Sequence, residues 1–117
     1  MSILQGEIYP VDFGETEGSK ATGVYPGVVV QRDAINKSKI RTVVVCMITS
    51  TQKRVNAPGN VFLLKGEGEL QEDSVVNVSL ITQVNKNDLR GKIGTLRIER
   101  VQEIHDGIQT LLKAPLI

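Results

Sequence analysis

The chain of 117 residues contains one cysteine, one histidine and no tryptophan, and aromatic residues make up only 3% of it. A single cysteine excludes an intrachain disulfide and a multi-cysteine zinc site, and no cluster of His, Cys and carboxylate residues has metal-ligand spacing. Cys46 lies within an apolar run, which predicts a buried, unreactive thiol. The sequence therefore favours neither a metalloenzyme nor a Cys-His nucleophilic site, and we predict no metal and no cofactor.

Strong net charge and long apolar segments are also missing. The formal net charge is +1 at pH 7, so composition alone does not indicate a nucleic-acid-binding protein. No apolar run approaches the roughly 20 residues that span a bilayer, and the N-terminus has no leader-like segment. We therefore expect a cytoplasmic protein without membrane contact. The length and the 40% hydrophobic content fit one domain, residues 1–117, with an aliphatic core.

Charge is unevenly distributed along the chain. The segment from Gln31 to Arg54 is mostly positive, whereas a later connection is acidic. The positive segment either holds a phosphate backbone or is a set of solvated loop charges, and the sequence leaves both interpretations open. The positive residues are Arg32, Lys37, Lys39, Arg41, Lys53 and Arg54, opposed by Asp33 alone; the acidic ones are Glu67, Glu69, Glu72 and Asp73.

Several segments have the composition of β-strands. Val24–Gln31 and Thr42–Thr49 are nearly continuous β-branched runs, the pattern of central strands covered on both faces. Turn-forming and polar residues separate the other candidates. The remaining predicted strands are Glu7–Phe13, Val61–Leu64 and Ser74–Val84, separated by a glycine-rich loop at Gly14–Gly23, polar connections at Asn36–Arg41 and Lys65–Asp73, and a turn at Pro58-Gly59-Asn60.

The long strand predicted at Ser74–Val84 has two different faces. Successive side chains of a strand point to opposite sides of the sheet. One face is fully apolar, and the other is polar enough to contact a ligand. The apolar face carries Val76, Val78 and Leu80, and the other carries Val75, Asn77, Ser79 and Ile81.

From Arg97 to Ala114 the apolar residues recur every three or four positions, which predicts an amphipathic helix packed on the sheet. Thr95 is the predicted cap and Pro115 helps to end the helix. Gly107 within it indicates either close packing or a poorly optimised exposed position, and Asn87–Arg90 predicts a short helical turn. The apolar stripe consists of Ile98, Val101, Ile104, Ile108, Leu111 and Leu112.

These elements predict a mainly β protein with a C-terminal α-helix, built as a small, strongly curved sheet or partly open β-barrel. Four segments also resemble the MazF/PemK (Kid-like) family of toxin endoribonucleases, over nearly the whole chain. They are Gly6-Glu7-Ile8-Tyr9, Gly23-Val24-Tyr25-Pro26-Gly27, Ile48-Thr49-Ser50 and Asp73-Ser74-Val75-Val76. The resemblance implies the same barrel-like fold, and Tyr25 stands where the family usually has an arginine.

The resemblance implies a metal-independent endoribonuclease that cuts single-stranded RNA to 2′,3′-cyclic phosphate and 5′-hydroxyl ends. Thr49 carries over as a catalytic residue, and Tyr25 takes over part of the arginine's role, because a phenol donates a hydrogen bond to a phosphate oxygen or acts as an acid. A homodimer, an RNA groove at its interface and a cognate antitoxin are also implied. The predicted RNA-binding residues are Ser19, Lys20, Ser50, Gln52, Lys53 and Ser79.

Two departures from the family pattern support an alternative function. Tyr25 carries no permanent charge, and Ser79 occupies a position where relatives have an acidic residue beside the cut site. The alternative is a non-catalytic member of the family that binds RNA, an antitoxin or a protein target and inhibits by contact.

Overall fold

The computed structural model describes residues 2–14, 23–50 and 55–113. In this part of the chain, six antiparallel strands form one sheet that curls into a half-barrel with a C-terminal helix, which confirms the predicted fold class. The strands are β1 (Glu7–Asp12), β2 (Val24–Val29), β3 (Thr42–Thr49), β4 (Val61–Leu63), β5 (Ser74–Asn85) and β6 (Gly94–Thr95), and the helices are α1 (Asp33–Asn36) and α2 (Ile98–Leu112). Short 3-10 turns span Glu67–Glu69 and Lys86–Asp88.

The strand order in the sheet is β4-β5-β3-β2-β1-β6, so β2 and β3 lie in its interior. Burial on both faces is confirmed for β3, which is buried along almost its whole length. It is confirmed only for the second half of β2, because Val24 at its start is 66% exposed. The β-branched run of β3 therefore packs apolar side chains into both layers of the core.

Two apolar clusters make up the core, one on each face of the sheet. The first lies between the sheet and α2, and the second is closed by the chain before β1 and by Leu89 after the second 3-10 turn. The first cluster includes Ile8, Val28, Cys46, Ile48, Val76, Val78, Val101 and Ile104, and the second includes Ile3, Tyr9, Val11, Val29, Val43, Val45 and Leu89.

The pairing of β3 with β5 shifts in the middle of the strands. Cys46 pairs with Ile81, but the next residue, Met47, pairs with Asn77. Such a bulge bends a strand and re-aims its side chains. The predicted strict alternation is therefore wrong beyond this point, because Ile81 packs against the first cluster rather than sharing a face with Asn77.

Helix α2 packs on the sheet through its middle only. Val101 and Ile104 are buried, whereas Ile98 is 73% and Leu112 is 65% exposed, so the predicted stripe is longer than the contact. The predicted cap is wrong: Arg97 is the N-cap residue, and Thr95 lies in β6. The expected helix end at Ala114 and Pro115 lies outside the described residues. No described helix has the length and apolarity needed to cross a membrane.

Gly107 marks a close contact between α2 and the turn before β4. The residue is buried, and a Cβ atom at position 107 would overlap the carbonyl oxygen of Gly59. Gly59 has φ of +86°, which side chains disfavour. The close-packing interpretation of Gly107 is therefore confirmed, as is the turn predicted at Pro58-Gly59-Asn60.

Helix α1 was not predicted, whereas the helical turn expected at Asn87–Arg90 is present as the 3-10 turn Lys86–Asp88.

Buried Glu7 explains the first family-like segment in structural terms. Its Oε1 accepts hydrogen bonds from the Leu4 amide and the Tyr9 hydroxyl, each at 2.8 Å, and its Oε2 lies 3.3 Å from Lys92 Nζ. Burial, with the hydrogen bond to Glu7, raises the pKa of Tyr9 to about 12. Glu7 therefore ties β1 to the preceding turn and to the segment before β6.

Candidate active site

A pocket of about 470 Å³ opens where β2 begins and β3 ends. Two adjacent strands form one wall, and the turn that leads into β5 forms the opposite wall. The first wall consists of Tyr25, Pro26, Ile48, Thr49 and Ser50; the second consists of Glu69, Leu70, Gln71, Glu72 and Ser74, and Ile93 also lines the pocket.

The ends of two neighbouring strands bring Tyr25 and Thr49 to the same pocket. The pairing of β2 with β3 ends at Gly27 and Met47, and Tyr25 and Thr49 each lie two residues beyond this pair. Both residues line the pocket, although they are 24 positions apart in the sequence.

Thr49 is nearly buried and its hydroxyl has a defined partner. The residue is 9% exposed, and Asn77 Nδ2 donates a hydrogen bond to Thr49 Oγ1 at 3.1 Å. Asn77 is fully buried at 0% exposure. Asn77 belongs to the polar face predicted for β5, but its role is not predicted. The available signal was an amide side chain within an otherwise apolar strand.

The other predicted site residues are distributed unevenly. Ser50 is exposed and lines the pocket beside Thr49. Ser79 is exposed on β5, beyond the pairing shift, and is not one of the residues that line the pocket. The remaining four, Ser19, Lys20, Gln52 and Lys53, lie outside the described residues.

Two carboxylates in the pocket wall were not predicted as site residues. Glu69 and Glu72 are exposed residues of the turn before β5. Glu69 has φ of +64° and is the only described non-glycine residue with positive φ, a strained conformation that often occurs at functional sites. The signal available in the sequence was the acid-rich segment directly before β5. The first residues of β5 pair with the end of β3, which brings this segment close to Thr49.

The positive charges predicted between Gln31 and Arg54 do not gather at this pocket in the part of the chain that the structure describes. Lys37, Lys39 and Arg41 are exposed before the start of β3, whereas Thr49 is at its end, about 23 Å away along the strand. Lys53 and Arg54 lie outside the described residues. The described pocket lining carries carboxylates but no lysine or arginine.

The described residues contain no group of three or more His, Cys, Asp and Glu side chains that could hold a metal ion. Cys46 is fully buried in the first apolar cluster, and this burial raises the pKa of its thiol to about 12. The prediction of a buried, unreactive thiol is therefore confirmed, because the thiolate is the reactive form.

Comparisons with known proteins cover almost the whole chain. A sequence model of the PemK-like, MazF-like toxins of type II toxin-antitoxin systems matches residues 4–112. The chain is 38% identical to Endoribonuclease MazF6 of Mycobacterium tuberculosis over 112 residues, covering 96% of this chain and 98% of that protein. It is 31% identical to Endoribonuclease MazF of Staphylococcus saprophyticus over 110 residues, covering 94% and 91%.

A solved structure has the same fold. It is an endoribonuclease from a mycobacterial species in complex with its cognate antitoxin, and it superposes with a TM-score of 0.79 at 22% identity, covering 99% of this chain and 100% of that one.

Proposed function

The chain belongs to the PemK-like, MazF-like toxins of type II toxin-antitoxin systems, and on this basis we propose that it cuts single-stranded RNA at the pocket formed by Tyr25 and Thr49. It is an endoribonuclease toxin. Its proposed substrate is mRNA and its proposed compartment is the cytoplasm. The observation that carries the site assignment is that Tyr25, near the start of β2, and the nearly buried Thr49, at the end of β3, line one pocket.

RNA supplies its own nucleophile in the proposed reaction. The 2′-oxygen attacks the adjacent phosphorus as a base removes its proton, the new O2′–P bond gives a 2′,3′-cyclic phosphate, and the P–O5′ bond breaks. The leaving 5′-oxygen takes up a proton and becomes a hydroxyl. A protein that does this needs a base, hydrogen-bond donors for the charged phosphoryl oxygens, and an acid.

The pocket offers a group for each of these roles. The Thr49 hydroxyl donates to a phosphoryl oxygen, and the Tyr25 phenol is the second donor or the acid for the leaving oxygen. Glu69 and Glu72, which line the opposite wall, are the candidate bases for the 2′-proton. Ser50 lies beside Thr49 and is proposed to contact the RNA, together with Ser79 on β5 and with Ser19, Lys20, Gln52 and Lys53.

The decisive experiment is incubation of the purified chain with a long single-stranded RNA in excess EDTA, followed by mapping of the new 5′ ends. We expect discrete 5′-hydroxyl ends, which become ligatable only after enzymatic phosphorylation. Thr49→Val removes the hydroxyl at nearly constant volume and should slow the appearance of these ends about 100-fold. Gln83→Ala removes an exposed amide from β5 and is the matched control.

A homogeneous chain that leaves RNA intact under these conditions would contradict the proposal. The contact-inhibition alternative would then be favoured, since Tyr25 supplies no permanent charge to a phosphoryl group. In that case Tyr25→Arg should create cleavage in an inert parent.

We further propose a cognate antitoxin as the protein partner and a homodimer as the functional unit. Large apolar side chains remain exposed in the single chain, among them Val24 next to Tyr25, which is 66% exposed; burial of such side chains is a usual reason for association. Light scattering of the purified toxin should give a mass near twice the 12.8 kDa of one chain. A mass equal to one chain at micromolar concentration would contradict the dimer.

A further inference from the structure

A fully buried amide faces the Thr49 hydroxyl. Asn77 Nδ2 lies 3.1 Å from Thr49 Oγ1, 3.1 Å from the Val75 carbonyl oxygen and 3.4 Å from the Met47 carbonyl oxygen. The two carbonyl oxygens accept hydrogen bonds only, so the end of the carboxamide that faces them must be the NH₂ group. The Thr49 oxygen is therefore an acceptor toward Asn77.

A second amide supports this orientation of Asn77. Asn60 Oδ1 accepts a hydrogen bond from the Val78 amide at 3.0 Å, and Asn60 Nδ2 lies 3.5 Å from Asn77 Oδ1. The oxygen end of the Asn77 carboxamide thus points to Asn60 and the nitrogen end to Thr49. Buried polar groups are costly unless they are satisfied in this way.

The pairing shift between β3 and β5 creates the contact. Asn77 pairs with Met47 and is diagonal to Thr49 only because the register changes after Cys46, which pairs with Ile81. If the Cys46 register continued, Val78 would lie opposite Thr49, and no amide would reach its hydroxyl.

We propose that Asn77 is the positioning residue for Thr49. A hydroxyl has one proton to donate and two lone pairs. Because Asn77 donates to the oxygen, the Thr49 proton is left for the pocket, where it is donated to an oxygen of the scissile phosphate. Asn60 holds the Asn77 carboxamide in the orientation that this requires. The inference rests on the proposed function, in which Thr49 donates to the phosphoryl group.

A double-mutant cycle in kcat/KM tests the proposal, with Asn77→Ala and Thr49→Val made singly and together. Loss of a catalytic donor predicts that Thr49→Val is about 100-fold slower than the wild type. Loss of one orienting hydrogen bond predicts that Asn77→Ala is about 10-fold slower. Because Asn77 acts through Thr49, the double variant should be no slower than Thr49→Val alone. Gln83→Ala, which removes an amide from the same strand, should cleave like the wild type.

Asn77→Asp provides a second test that keeps the side-chain shape. The neutral form of the new carboxyl donates to Thr49 Oγ1 as the amide does, whereas the ionised form only accepts and takes the Thr49 proton away from the pocket. The ratio of variant to wild-type rate should therefore fall about 10-fold as pH rises through the ionisation of the new carboxyl. In the Thr49→Val background the same ratio should not change with pH.

The outcomes distinguish failure of the proposed function from failure of the positioning role of Asn77. RNA left intact by the wild type, or cut equally well by Thr49→Val, defeats the proposed function or its site, and the inference with it. If Thr49→Val is impaired as expected, then wild-type rates in Asn77→Ala, or losses that multiply in the double variant to about 1000-fold, overturn the positioning role alone. Circular dichroism and thermal unfolding establish that each variant is folded, and if Asn77→Ala is not, the pH dependence of Asn77→Asp decides.

Discussion

A phenol at position 25 provides a hydrogen-bond donor without a permanent charge. Removing that donor while keeping the ring isolates its contribution to cleavage. We expect Tyr25→Phe to lower kcat/KM about 100-fold, the usual effect of losing one donor to a charged transition state. Initial rates on a short fluorogenic RNA measure this directly. Cleavage by Tyr25→Phe at the wild-type rate would show that Tyr25 has no chemical role.

The complementary change, Tyr25→Arg, introduces a cation into a pocket whose described lining carries Glu69 and Glu72 but no cation. A guanidinium binds phosphate more strongly than a phenol does. We expect this variant to have a lower KM for RNA than the wild type, with a salt dependence that is steeper. An unchanged KM would place the position 25 side chain away from the phosphate.

Neutralising each pocket carboxylate distinguishes a general base from a residue that only repels the RNA. Glu69→Gln and Glu72→Gln each remove one negative charge at nearly constant shape. For the residue that takes the 2′-proton, kcat should fall by 100-fold or more. For a residue that only repels the RNA backbone, KM should fall and kcat should stay constant. Single-turnover rates at saturating enzyme, measured beside binding to an RNA with a 2′-deoxy cut site, distinguish the two roles.

At the scale of elements, the contact between α2 and the turn before β4 changes the expected effect of replacing a helix glycine by alanine. In an exposed helix, glycine to alanine is stabilising by about 1 kcal/mol. At Gly107 the added methyl group overlaps the Gly59 carbonyl oxygen. We therefore expect Gly107→Ala to destabilise the protein by roughly 2 kcal/mol, measured by urea unfolding. Gln109→Ala, at an exposed position of the same helix, should cause no loss of stability, and a stabilised Gly107→Ala variant would contradict the close contact.

The elements themselves were largely readable from the sequence. The β-branched run of β3 and the apolar spacing around Val101 and Ile104 are local signals, and both elements are present. The cap at Thr95 was wrong because a two-residue strand, paired with β1, competes for that residue. The face of Ile81 was wrong because the pairing shift depends on the partner strand, and alternation within β5 does not reveal it.

The residues of the candidate site were harder to predict from the sequence than the strands and helices. Thr49 and Tyr25 were found through family resemblance, since strand-end residues have no periodicity of their own. Glu69 and Glu72 belong to a turn, and only the return of the chain into β5 brings that turn to the pocket. Asn77 has its partner 28 positions earlier in the chain, so the contact follows from the register and not from any local pattern.

For the whole molecule, one ion pair links global stability to pH. Arg100 of α2 donates to both carboxylate oxygens of Glu67, at 2.8 and 2.9 Å, and this bonding lowers the pKa of Glu67 below its usual value. A lowered folded-state pKa stabilises the protein above the unfolded-state pKa of about 4.3, and that stability is lost as pH falls through the folded-state value.

Arg100→Met should therefore reduce the free energy of unfolding by about 1 kcal/mol at pH 7, and the difference from the wild type should shrink as Glu67 is protonated. Urea unfolding at pH 7 and at pH 3 measures the two differences. Lys39→Met removes an exposed cation from the connection before β3 and is the control. A difference that grows toward acid pH would contradict the assignment.

The pocket draws its walls from positions 25 to 93, which has a consequence for the synthesis of the protein. A nascent chain that ends before the turn with Glu69 and Glu72 has β2 and β3 but lacks the opposite wall, and Thr49 still lacks the amide of Asn77. We therefore expect the proposed site to be complete only after most of the chain has left the ribosome. An incomplete product of interrupted translation that ends before this turn should not cut RNA, including the messenger that encodes it.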